Sequence, residues 1–83
     1  MIYRAKIEVS LKPGHTDPEG NTTQRLLKEL GYSIDSVNVS KTYNVKLQAS
    51  NSNEAKAKAE EMAKRLLANP TKDNYSITVE EQK

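Results

Sequence analysis

The chain has no cysteine, no tryptophan and no phenylalanine, one histidine, His15, and only three glycines and three prolines among its 83 residues. Each shortage excludes something. Without cysteine there is no thiol nucleophile, no thiolate metal site, no redox pair and no disulfide. A lone imidazole excludes any site that takes two from one chain. No apolar run approaches the roughly 20 residues that cross a bilayer, and the start Met1-Ile2-Tyr3-Arg4-Ala5-Lys6 carries no signal-like apolar segment. Neither membrane nor export is expected, and the chain reads as cytoplasmic. Large aliphatics are also scarce: seven Leu, four Ile and five Val make about 19% of the chain. That share borders on disorder, but disorder of this kind also needs a high net charge, and the formal charge is only +2. The 13 basic side chains are interleaved with 11 acidic ones, so no basic stripe of the kind that tracks nucleic acid is present. One small domain spanning residues 1–83 is expected, with a lean core that oligomerisation would help to complete.

What the chain does have is alternation. From Tyr3 to Leu11 every odd position is apolar and every even one polar, which predicts a strand with one wet face. Pro13-Gly14 breaks it. Asp17-Pro18 then marks a helix start, Asp17 as N-cap and Pro18 at the first helical position. Thr23, Leu26, Leu27 and Leu30 share one helical face, and Gly31 is placed to end the helix in a left-handed conformation. Gly20 sits in the first turn, where glycine costs about 1 kcal/mol relative to alanine. It marks either a close backbone approach or, as the preferred reading, a later helix start. Val37, Val39, Tyr43, Val45, Leu47 and Ala49 keep one phase without a slip. They predict one strand of about 13 residues, bent or bulged near Lys41, or two strands around a loop at Ser40-Lys41-Thr42.

Asn51 and Glu54 predict a capping box for a second helix. Its buried stripe is Ala55, Ala59, Met62, Ala63 and Leu66, with Glu54–Lys58, Glu60–Lys64 and Glu61–Arg65 as opposed charges four apart on the wet face. Asn69-Pro70 stops it. A last strand runs from Tyr75 to Val79, and Glu80-Glu81-Gln82-Lys83 is expected to fray. Together these elements predict an α+β two-layer sandwich, β-α-β(β)-α-β, with a mostly antiparallel sheet and two helices on one face, ferredoxin-like if the middle segment counts twice.

No catalytic constellation accompanies this pattern. His15, Asp17 and Glu19 alternate in a loop, but Asp17 has a capping role and the ligand count for a metal is missing. Gly14, Gly20 and Gly31 fit no phosphate-loop spacing, although Lys12-Pro13-Gly14 feeding a helix N-terminus is a weak anion-binding signal. His15 is the sole conventional base, and no nucleophile elbow is present. Tyr3, Tyr43 and Tyr75 share the apolar phase, so the open sheet face lacks the aromatics that stack on RNA bases. That face instead carries Arg4, Lys6, Asn38, Asn44 and Lys46, hydrogen-bonding groups fit for solvent or for a partner protein.

Leu11-Lys12-Pro13-Gly14, Asp17-Pro18-Glu19-Gly20, Leu30-Gly31-Tyr32 and Leu66-Leu67-Ala68-Asn69-Pro70, taken in order, resemble the PurS subunit family of phosphoribosylformylglycinamidine synthase. The resemblance covers essentially the whole chain. It departs from the family pattern at Ser40, where a glycine often precedes the lysine matching Lys41. The resemblance implies a role in purine biosynthesis, in a complex converting formylglycinamide ribonucleotide, glutamine and ATP into formylglycinamidine ribonucleotide, glutamate, ADP and phosphate. It implies a non-catalytic homodimer or homotetramer that joins a synthetase large subunit, which uses ATP and Mg, to a glutaminase subunit that releases ammonia. No cofactor is expected on this chain itself. Lys12, Pro13, Gly14, Asp17, Pro18, Gly20, Arg25, Asn69 and Pro70 are the expected partner contacts, since as loop or motif positions they are not explained by the core; for Pro13 and Gly14 a simple turn is the alternative, and for Asp17 and Pro18 helix capping is an equal one. The competing expectation is a stand-alone ferredoxin-like regulatory domain that binds a small molecule.

Overall fold

The computed structural model describes residues 1–82; the expectation for Lys83 lies outside the described residues. Strand β1 (Ile2–Leu11) is followed by helix α1 (Pro18–Glu29), strand β2 (Ser40–Gln48), helix α2 (Ser52–Met62) and strand β3 (Asp73–Gln82). The three strands form one antiparallel sheet in the order β2-β1-β3. Strand β1 is central, paired on both sides, and its alternation maps directly onto burial: Tyr3, Ala5, Ile7 and Val9 are buried, while Arg4, Lys6 and Glu8 are exposed. Across from them Tyr43, Val45 and Leu47 of β2 and Tyr75, Ile77 and Val79 of β3 extend the same apolar face. Helix α2 lies on it.

Alanines set that contact. Ala55, Ala59 and Ala63, four residues apart, are buried, and their small side chains let the helix approach β1 and β3 closely. Asn51 caps α2, its Oδ1 accepting from the Glu54 amide at 2.9 Å. Glu54 reaches back to the amide of Ser50 at 3.4 Å rather than to that of Asn51, so the capping box is displaced by one residue. Glu54–Lys58 and Glu61–Arg65 form ion pairs at 3.2 and 2.9 Å, whereas Glu60 and Lys64 form none among the described residues.

Several expectations are corrected. Of the two readings of the middle segment the single strand holds, but it is 9 residues long rather than about 13, beginning at Ser40 with no bulge at Lys41, which pairs in register with Val9. Residues 37–39 keep the apolar phase but are not strand. Beyond Ser10, which pairs with Ser40, β1 has too little length left to pair with them. Strand β3 runs three residues past Val79, because Gln82 still pairs with Ile2, so the expected fraying does not reach residues 80–82. Leu66 does not join the buried stripe. After Met62 the helix widens into a π-helical turn, Ala63–Leu67, closed by the Ala68 amide donating to the Ala63 carbonyl at 2.9 Å. The wider turn shifts the phase by one residue. Leu67 therefore packs on the core and Leu66 is left 83% exposed.

Helix α1 gives the molecule its shape. It is capped as expected at both ends, by the Asp17 carboxylate and by Gly31 at φ 100°. At the C-terminal end the Tyr32 amide donates to Leu27 and the Gly31 amide to Lys28, the paired bonds of a Schellman motif. Yet α1 does not pack on the sheet beside α2. Gly20 is its only buried residue, and Leu26, Leu30 and the following Tyr32 are 50%, 75% and 62% exposed. The radius of gyration is 16.3 Å, against about 12 Å for a compact domain of this length, and the extents are 50 × 29 × 14 Å. The α+β arrangement of three antiparallel strands and two helices holds, with one helix projecting.

Candidate functional site

The partner-contact residues expected from the sequence fall into two clusters and one outlier. The first cluster is a corner built from two distant loops. Lys12 donates its backbone amide to the Lys72 carbonyl at 2.7 Å and its Nζ to the Pro70 carbonyl at 2.9 Å, across 58 residues of chain. Pro13 and Gly14 form the turn beside it: the His15 amide donates to the Lys12 carbonyl at 3.3 Å, and Gly14 has φ 90°, the geometry of a type II turn with proline and glycine at its centre. On the other loop the Asn69 side chain accepts from the Thr71 amide at 2.9 Å, and Asp73 accepts from the Asn69 amide at 2.8 Å. Such side-chain-to-backbone bonds hold a proline turn rigid without a core beneath it. The exposed Pro13, Gly14, Asn69 and Pro70, with the half-buried Lys12, thus form one preformed ridge at the end of the sheet.

The second cluster is Asp17, Pro18 and Gly20, and it ties α1 to residues 37–39. Asp17 Oδ1 accepts from the Gly20 amide and Oδ2 from the Val39 amide, each at 2.8 Å. Both bonds favour the ionised form, Val39 most and Gly20 next, so the carboxyl is held below the usual aspartate range. A Cβ at Gly20 would overlap the Val37 carbonyl oxygen. The glycine therefore marks a close backbone approach, and the helix starts at Pro18 without delay. This corrects the preferred reading of Gly20. The anion-binding signal of Lys12-Pro13-Gly14 is also answered, because the free amide at the start of α1 is filled by the chain's own Asp17 carboxylate. A cleft of about 500 Å³ beside it is lined by Lys12, Pro13, Gly14, His15, Asp17 and Asn38, among others.

Arg25 stands apart from both clusters. It is exposed on the projecting α1 and makes no hydrogen bond or ion pair among the described residues. The anchoring role of residues 37–39 was missed from the sequence. The glycine in the first turn of α1 was the available signal. No group of three or more His, Cys, Asp and Glu gathers among the described residues. Chemically, the arrangement offers rigid loops, a pinned helix and bare apolar surface, all suited to contact with other chains.

The PurS family model, described as phosphoribosylformylglycinamidine (FGAM) synthase, matches residues 4–81. The chain is 39% identical over 80 residues to phosphoribosylformylglycinamidine synthase subunit PurS of Methanocaldococcus jannaschii, covering 95% of this chain and 96% of that one. It is similar to the solved structure of Thermus thermophilus PurS, with a TM-score of 0.90 and 34% identity over 100% of both chains. A chain of the structure of PurLQS from Thermotoga maritima shares the fold, with a TM-score of 0.87 at 23% identity, over 96% of this chain and 99% of that one.

Proposed function

The chain belongs to the PurS family of phosphoribosylformylglycinamidine synthase, and from this premise we propose that it is the small assembly subunit of that enzyme in purine biosynthesis. It bridges a synthetase subunit and a glutaminase subunit, so that ammonia released from glutamine reaches formylglycinamide ribonucleotide without loss to water. Its contribution is position. The catalytic groups belong elsewhere: a cysteine-dependent glutaminase needs a thiol this chain lacks, and ATP and Mg belong to the synthetase.

The observation that carries this reading is the projecting α1. An amphipathic helix in water leaves its apolar stripe bare only when another chain covers it. We infer that a second copy does so. Leu26, Leu30 and Tyr32 of one protomer face outward, and each protomer offers an apolar groove of about 450 Å³ between Val45, Met62, Leu66 and Leu67. Reciprocal exchange of these surfaces gives a closed two-fold dimer and completes the lean core. The Lys12–Pro70 ridge, with Arg25 on α1, remains available for the catalytic subunits. All of this fits a cytoplasmic complex.

Mixing the chain with the synthetase and glutaminase subunits and measuring mass by light scattering tests the reading. A ternary species containing two or more copies of this chain is expected. A chain that stays apart from both subunits, yet gains thermal stability from a purine intermediate or an amino acid, would replace it with the small-molecule sensor.

A further inference from the structure

The even positions of the three strands form the sheet face that α2 leaves open. On that face Arg4 stands opposite Lys46 on one side and Glu80 on the other, and Lys6 stands opposite Asn44 and Thr78. With Thr42 these residues line a shallow trough of about 660 Å³. Arg4, Lys6 and Lys46 are exposed, and none forms an ion pair among the described residues. Three cations against one carboxylate give the trough +2, and with Glu8, the next even position of β1, the open face as a whole carries +1. Folding does not require this. Like charges directly opposed across antiparallel strands destabilise the pairing, and a wet face needs only polarity.

We propose that this face docks a carboxylate-rich patch of a partner protein, a proposal that rests on the reading of the chain as an assembly subunit. The trough's own chemistry selects that class. Strand β1 is paired on both sides, so its amides are committed to the ladder and only flexible side chains would hold a lone phosphate. Stacking of nucleic-acid bases needs aromatics, and Tyr3, Tyr43 and Tyr75 lie in the opposite phase. A second copy of the same face would set Arg4, Lys6 and Lys46 against their own kind, with only Glu8 and Glu80 on each side to offset them. An acidic protein surface neutralises the opposed pair and finds hydrogen-bond partners in Thr42, Asn44 and Thr78.

Lys46→Glu is the decisive variant, because it puts a carboxylate opposite Arg4 and takes the trough from +2 to neutral. Its Tm should equal or exceed that of the parent chain and its homo-oligomeric mass should not change, whereas affinity for the mixed synthetase and glutaminase subunits should fall roughly tenfold. Lys46→Gln should fall between the two. Parent affinity should also weaken between about 0.01 and about 1 M salt, as the Debye length drops from roughly 30 to roughly 3 Å. Equal affinity of Lys46→Glu and parent at low salt, or salt-independent parent binding, overturns the proposal while leaving the subunit reading intact. If the parent binds neither subunit, both fail. A thermal shift with inorganic phosphate or an RNA oligomer that Lys46→Glu abolishes would assign the face to phosphate and overturn the protein partner.

Discussion

Replacing Gly20 with alanine sets two effects of opposite sign against each other. Inside a helix the change stabilises by about 1 kcal/mol, because alanine loses less backbone freedom than glycine. At this position the new Cβ would overlap the Val37 carbonyl oxygen and lie 2.9 Å from Asp17 Oδ2 and 3.0 Å from its Cγ. Neither neighbour yields easily: Val37 presents backbone, and Asp17 is pinned by the amides of Gly20 and Val39. Relief therefore requires moving residues 37–39 and breaking the Asp17–Val39 bond. Overpacking of this sort costs about 1–3 kcal/mol, and a backbone obstacle places it in the upper part of that range. The expected net loss is about 1–2 kcal/mol. In a domain of this size that lowers Tm by about 5–15 °C. Thermal unfolding followed by circular dichroism measures it, at one fixed protein concentration because an oligomer's Tm depends on concentration. Asn21→Ala, one residue on and exposed, is the control that gains helix propensity without a clash. A Gly20→Ala chain that melts at or above the parent would refute the close approach.

If a second copy covers α1 as proposed, Leu26→Asp with Leu30→Asp should leave the chain monomeric, because it places two carboxylates in that stripe; an unchanged multimeric mass by light scattering would contradict the exchanged-helix dimer. Acid stability should depend on Asp17 and Glu54. Both carboxyls are held below their ordinary values, Asp17 by the Val39 amide first and Glu54 by Lys58 first. A depressed folded pKa adds stability that is present above the ordinary values, about 3.9 and 4.3, and is lost as pH falls through the lower folded ones. Unfolding midpoints should accordingly drop below about pH 4, and Asp17→Asn should flatten part of that fall; a variant whose pH profile runs parallel to the parent's would show that Asp17 is not the responsible group.

The fold was legible where one strand's environment is symmetric and obscure where the chain's partners change. Strand β1 lies between two neighbours along nearly its whole length, so its alternation maps directly onto burial. Val37 and Val39 carry the same alternation, but strand structure needs a partner as well as a phase, and β1 is too short to supply one. Leu66 followed the helical period in the sequence, and a single π-helical turn moved it into solvent. Periodicity gave the stripe on α1 correctly as apolar. It cannot say which chain buries a stripe. The candidate site divides in the same way. Asp17 as N-cap is a local signal and was readable, whereas the meeting of Lys12 with Pro70 spans 58 residues and leaves no local mark. The cation row of Arg4, Lys6 and Lys46 was visible in the even phase, but the direct opposition of Arg4 and Lys46 depends on a register that alternation alone does not fix.

The coupling of two active centres, by a chain that does no chemistry itself, is the proposed role. It is tested most directly by comparing amidation driven by glutamine with amidation driven by free ammonia, using the synthetase and glutaminase subunits with and without this chain. Coupling requires that omission abolish the glutamine-driven reaction while the ammonia-driven reaction of the synthetase continues. Equal rates of the glutamine-driven reaction with and without the chain would contradict it.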